Sequence, residues 1–114
     1  MIFQKVHVEQ ILEGTKTQTR RLNRGYYRVG RTYSIQPCRT CKGTRGHRIK
    51  MLEILPEGGD LRSIPLSQED AKAEGGYSPE EFEELFLKLN PKWGGEMRYV
   101  FKFSLVTLDE GEME

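Results

Sequence analysis

From Gly14 to Leu52 the chain carries eleven Lys and Arg residues and no Asp or Glu, whereas Glu53 to Glu114 holds fifteen acids against six bases. A fold built from this chain must either interleave the two segments, so that acids of the second neutralise bases of the first, or leave a basic face open to a polyanion. The net charge of +1 conceals that asymmetry. At 114 residues there is room for one core, and residues 1–114 are expected to form a single domain whose acidic tail, 109–114, frays. No apolar run approaches the roughly 20 residues that a spanning helix requires, and "MIFQKVHVEQ" lacks the apolar stretch of a signal peptide. The expected location is the cytoplasm, with no membrane partner.

Local patterns place the elements. "VHVEQILEG" spaces Val8, Ile11 and Leu12 as a helix does and ends at Gly14, which suits a left-handed C-cap. "TQTRRL" and "RTYSIQP" are rich in strand-forming residues and are separated by the turn-like "NRGYYRVG". "HRIKMLEILPEGG" alternates Ile49, Met51 and Glu53 against Lys50, Leu52 and Ile54 and closes in a Pro/Gly turn, a third strand. Ser67 caps a second helix, with Asp70 three residues on; Ser78 caps a third, with Pro79 in its first position and Glu80 and Glu81 complementing the dipole. "MRYVFKFSLVTL" alternates Tyr99, Phe101, Phe103 and Leu105 as a last strand. Together these predict an α+β fold: a small mixed β-barrel, curled to remove its edges, flanked by about three short helices.

Within this frame "GTKTQTRR" resembles the G-x-K-x-x-x-x-R signature of the ASCH family of PUA-like barrels. The flanking "FQKVHVEQIL", "RVGRTYSIQP", "EDAKAEGGYSPEEF" and the aromatic "YVFKF" agree with it over nearly the whole chain. The resemblance implies a barrel with helices at one side and a cleft for RNA or nucleotides. A subgroup similar to this chain consists of amidohydrolases that remove an acyl group from the exocyclic amine of cytidine, using a lysine, a threonine and a glutamate. Those residues match Lys16, Thr19 and, through a looser ungapped match in "AKAEGG", Glu74; a further family arginine falls on Arg21. No cofactor is implied. A non-catalytic RNA-binding module stands as the alternative. A ribonuclease is the third, and no carboxylate or histidine cluster suggests a metal-dependent one.

The chemistry explains why these residue types matter. A threonine hydroxyl is a poor nucleophile without a base in hydrogen-bond reach. Lys16 can be that base only if burial and the charges of Arg20 or Arg21 depress its pKa, because an ammonium accepts no proton. Glu74 would protonate the leaving amine or orient the substrate amide, and Gln18 or Arg21 would hold the pyrimidine carbonyl or the developing oxyanion. Gln18, Arg20, Arg21 and Tyr33 are the expected substrate-binding residues, and Arg24 and Arg28 the expected RNA contacts. If the strand begins at Thr17, alternation puts Thr17, Thr19 and Arg21 on one face, with chemistry, and Gln18 and Arg20 on the other. Lys16 then reaches the cleft from the turn. Taken singly, the threonines would be ordinary strand residues and Lys16 a solvated one; only their joint match to the motif distinguishes them.

The remaining features have plainer expectations. Tyr26, Tyr27, Tyr33 and Trp93 could stack bases or fill core. Glu80, Glu81, Glu83 and Glu84 look like a solvated helix face, and His7 like a satisfied structural histidine. Cys38, Cys41 and His47 form C-x-x-C-x5-H, three ligands where a structural zinc normally has four, so reduced thiols and no metal are expected. If Arg20, Arg24 and Arg28 hold phosphates, affinity for single-stranded RNA falls with salt at a log–log slope of about −0.7 per contact. A binding curve that does not move between low and moderate salt would exclude this electrostatic mode.

Overall fold

A computed structural model describes residues 1–38, 40, 47–57, 66–94 and 97–107; Cys41 and the acidic tail lie outside these. Helix α1 (Lys5–Glu13) stops where its glycine permits: Gly14 takes φ 85° and its N–H bonds the Ile11 carbonyl at 3.1 Å. Strands β1 (Gln18–Arg21), β2 (Thr32–Ser34) and β3 (His47–Glu57) follow, then helices α2 (Gln68–Ala73) and α3 (Pro79–Leu89) and strand β4 (Arg98–Thr107). Ser67 caps α2, and Ser78 and Glu81 form a reciprocal capping box on α3. No described helix is long and apolar enough to cross a membrane.

The α+β class is as expected, but the sheet is open rather than a closed barrel. All its pairings are antiparallel, in the order β1-β4-β3-β2, so β1 and β2 are its edges. At four and three residues these edge strands are too short to curl round and meet. The β1 edge is covered instead. Thr17, just before the strand, donates its N–H to the carbonyl of Ala73 at the end of α2, 2.8 Å away.

One apolar cluster joins Val8 and Ile11 of α1 to Ile49, Met51, Phe101 and Phe103 of the central strands. Leu12, expected on this face, is 37% exposed, whereas His7 is buried. The simple alternation expected of β3 breaks at Leu52. Met51 pairs with Phe103 and Glu53 with Lys102, so Leu52 is an extra, bulged residue, and Ile54 instead of Glu53 turns to the core.

A second cluster, Leu66, Ala71, Phe82, Phe86 and Trp93, forms around α2 and α3. Arg98, 1% exposed, enters it from β4. Its guanidinium lies 4.6 Å from the Phe86 ring centroid and 4.8 Å from that of Trp93, and pairs with Glu83 at 2.8 Å. Glu83 is therefore the partner of a buried cation, not part of a solvated face; a helix pattern cannot reveal a charge arriving from another element. Removing one partner of a buried pair costs about 3–5 kcal/mol, because the other is left uncompensated. Since Glu83 can still reach water, Arg98→Ala should lose about 3 kcal/mol and Arg98→Met, which keeps the bulk, distinctly less. Urea denaturation reads both, and equal stability of Arg98→Ala and the parent would refute the role given to the cage.

Candidate active site

The turn after α1 delivers Lys16. The N–H groups of Thr15 and Lys16 both bond the Gln10 carbonyl, at 2.9 and 3.1 Å, which folds the chain back before β1 begins. The Lys16 ammonium Nζ then donates to Glu74 twice, to its backbone carbonyl at 2.6 Å and to carboxylate Oε2 at 3.3 Å. Arg20 donates from Nη1 to Glu74 Oε1 at 2.8 Å and from Nε to Glu57 Oε2 at 2.7 Å. Lys16, Arg20 and Glu74 are all buried. At this point the fold does interleave the basic and acidic segments. Gln18 turns to α2 instead, with Nε2 at 3.3 Å from the Asp70 carbonyl.

Burial dominates the electrostatics. It pushes the Lys16 pKa down, with Arg21 and Arg20 helping and Glu74 opposing. It pushes Glu74 up, against the charges and hydrogen bonds of Lys16 and Arg20. Arg20 keeps its charge and already compensates one carboxylate oxygen. Lys16 is thus the member that can lose a proton while Glu74 stays paired.

A cavity of about 410 Å³ opens at the β1 edge, and Lys16, Thr19 and Glu74 all line it, together with Arg20, Arg21 and His7. Phe82 and Phe86 supply an apolar wall. Thr19 pairs with Phe101 and Arg20 with Val100, so alternate residues of β1 do point to opposite sides, as expected. Both sides nevertheless contribute to the cavity, which corrects the assignment of all the chemistry to one face: β1 is an edge strand, and the cavity wraps its free side. The Thr19 hydroxyl makes no hydrogen bond among the described residues and is not sealed from the cavity. Arg21 bonds the Ile2 carbonyl, with its guanidinium 5.0 Å above the Phe3 ring.

Other expected residues lie elsewhere. Neither Gln18 nor Tyr33 lines the cavity. Tyr33 accepts a bond from the Arg28 N–H at 2.7 Å and stacks edge-on against Tyr27. Arg24 and Arg28 are exposed on the β1–β2 connection, beside a Tyr26 that is 99% exposed. Cys38 is disulfide-bonded, correcting the expectation of a reduced thiol, and a sulfur in that state offers no thiolate to a metal. Glu57 and Arg98 were missed because nothing local marks them. His7 was read as structural, yet it lines the cavity as well as bonding the Tyr77 hydroxyl; its place on the buried face of α1 was the available signal.

No family model matches the sequence, and no curated protein matches it. Solved structures do match the fold. Protein EF3133 from Enterococcus faecalis V583, assigned to family DUF984, superposes with a TM-score of 0.58 over 94% of this chain and 73% of its own, at 19% identity. Two single-residue variants of ZmASCH from Zymomonas mobilis give a TM-score of 0.58 over 98% of this chain and 90% and 88% of theirs, at 14% identity. The chain therefore has the ASCH-domain fold.

The ion cluster has a measurable cost of disruption. Glu74→Ala leaves Lys16 and half of Arg20 unpaired in the interior and should destabilise by about 3–5 kcal/mol. Lys16→Ala with Glu74→Ala should be more stable than the sum of the single losses, since the pair is removed together. Strict additivity in urea denaturation would count against a coupled cluster.

Proposed function

We propose that the cavity is the active site of an amidohydrolase that removes an acyl group from the exocyclic amine of a cytidine-type nucleoside. The observation that carries this is the convergence of Lys16, Thr19 and Glu74 on one concavity from two distant stretches of sequence. The ASCH fold supports it, and the volume falls in the range of small-molecule sites, roughly 300–1,000 Å³.

The steps follow from the donors present. Thr19 Oγ attacks the amide carbonyl carbon while Lys16 Nζ takes the hydroxyl proton. A neutral amine has two N–H donors and one lone pair. The Glu74 carbonyl and carboxylate accept both donors, which leaves the lone pair as the remaining direction. Glu74 thus acts as the orienter of Lys16 rather than the proton donor, because Arg20 and Lys16 occupy its oxygens. Arg21, which also lines the cavity, is the donor that would stabilise the oxyanion. The tetrahedral intermediate collapses with cleavage of the C–N bond, and the departing amine takes the proton now on Lys16. Water, deprotonated by the same lysine, hydrolyses the threonyl ester, releasing the acid and restoring Thr19.

Arg24, Tyr26 and Arg28, exposed together, favour a second reading in which the protein holds RNA without catalysis. The two are separated by release of cytidine from N4-acetylcytidine. Thr19→Ala and Lys16→Ala should each abolish most turnover, and the double variant should be little worse than either. Thr19→Ser should keep part of the rate, Lys16→Arg none, and Thr17→Ala, at an exposed position, most of it. Because the base is the neutral amine, the rate should climb as pH rises through the Lys16 pKa, with a midpoint below the ordinary lysine value of about 10.4. Parent-like turnover by Thr19→Ala, or RNA binding by a parent with no turnover, would leave the binding module in its place.

A further inference from the structure

The apolar wall of the cavity is longer than an acetyl group requires. Phe82, Leu85, Phe86 and Leu89 all line the cavity, and their spacing of i, i+3, i+4 and i+7 makes them one row along α3. From Phe82 to Leu89 the helix rises about 10 Å. The row begins beside the charged cluster: the Phe82 ring centroid lies 5.8 Å from the guanidinium of Arg20, which bonds Glu74. It ends at Asn90, whose side-chain amide donates back to the Phe86 carbonyl at 3.1 Å.

Along this row the leucines are less covered than the phenylalanines. Phe82 and Phe86 are buried, Leu85 is half-buried and Leu89 is 47% exposed. Leu22 and Ile2, 39% and 40% exposed, bring further apolar surface to the same cavity. A second concavity of about 350 Å³ shares Leu22 and Asn90 with the first and is otherwise lined by Pro91, Lys92 and Trp93. Apolar surface therefore continues past the far end of the row.

A base or a sugar suits the row poorly. Ring nitrogens, the pyrimidine carbonyl and ribose hydroxyls need hydrogen-bond partners, and the side chains of Phe82, Leu85, Phe86 and Leu89 offer none. The charged donors of the cavity, Lys16, Arg20 and Arg21, belong to β1 and the turn before it. An acetyl group sets one methyl against the row and leaves the rest to water, whereas an unbranched chain covers it.

We propose that the α3 row is an acyl-chain subsite, and that the substrate is a cytidine-type nucleoside carrying a medium-length unbranched acyl group, such as hexanoyl, in preference to acetyl. This rests on reading the cavity as an amidohydrolase site. The amide carbonyl stays at Thr19 and Lys16, and the chain leaves it along α3 towards Leu89 and Leu22. The bond broken is the same amide C–N bond, with water supplying the hydroxyl of the released acid.

Calorimetry on Thr19→Ala, in which turnover is blocked, reads the subsite with N4-acetyl-, N4-butanoyl- and N4-hexanoylcytidine. Burying each added methylene should tighten binding about threefold, so affinity climbs with chain length. Leu22→Gln combined with Leu89→Gln, at exposed positions where substitutions cost little stability, should cancel most of that climb and leave the acetyl ligand within about threefold. Equal affinity for the three ligands overturns the proposal, and so does a climb that survives both substitutions. A protein with Thr19 present that shows the climb but hydrolyses none of the three overturns the amidohydrolase reading and leaves the subsite. Hydrolysis of all three without a climb overturns the subsite and leaves that reading. Failure to bind any of them overturns both.

Discussion

Glu74 is 1% exposed and lies between Lys16 and Arg20, and a carboxyl group buried that deeply depends on the partners that hold its two oxygens. The pairing forces a particular arrangement on the chain. The C-terminal end of α2 must dock on the edge of β1, because Lys16 just precedes that strand, Arg20 lies within it, and neither can reach Glu74 otherwise. Docking in turn supplies the Ala73 carbonyl to the Thr17 N–H, so the edge is protected by a helix end rather than by closure of a barrel. The open sheet and the buried charge are one structural solution.

The cluster does not end at the cavity. Glu57 is shared, accepting from Arg20 at 2.7 Å and pairing with Arg98 Nε at 3.5 Å. Both guanidinium groups lie 5.8 Å from the Phe82 ring centroid, and Phe82 is also part of the apolar wall of the cavity. The position of α3, the charge state of the β1 edge and the shape of the ligand wall are therefore coupled through one aromatic ring and one carboxylate. A substitution at Arg98, outside the cavity, acts on both.

What was legible in the chain was whatever has a local cause. Gly14, Ser67, Ser78 and Pro79 announce helix ends because capping needs only neighbours in sequence, and the alternation of Phe101 and Phe103 needs only a two-residue period. Lys16, Thr19 and Glu74 were legible together through a motif, not through physics read from the residues. The rest depends on pairings that sequence order does not display. The Leu52 bulge is set by the register against β4; Glu83 looks solvated until Arg98 arrives from a strand fifteen residues away; the open sheet follows from edge strands whose length is decided by what covers them. The charge asymmetry left two outcomes open, and the structure divides them by residue. Lys16 and Arg20 are neutralised inside, whereas Arg24 and Arg28 stay outside.

Strand alternation normally means that a cleft on one face of a sheet can use only every second residue. Here the cavity sits at the end of the sheet, where the two faces meet around the free side of β1. Thr19 and Arg21 reach it from the side shared with Phe101, Arg20 from the side shared with Val100, and Lys16 from the turn before the strand begins. A nucleophile candidate and the charged pair that would tune its base can thus be consecutive in sequence and still act on one volume.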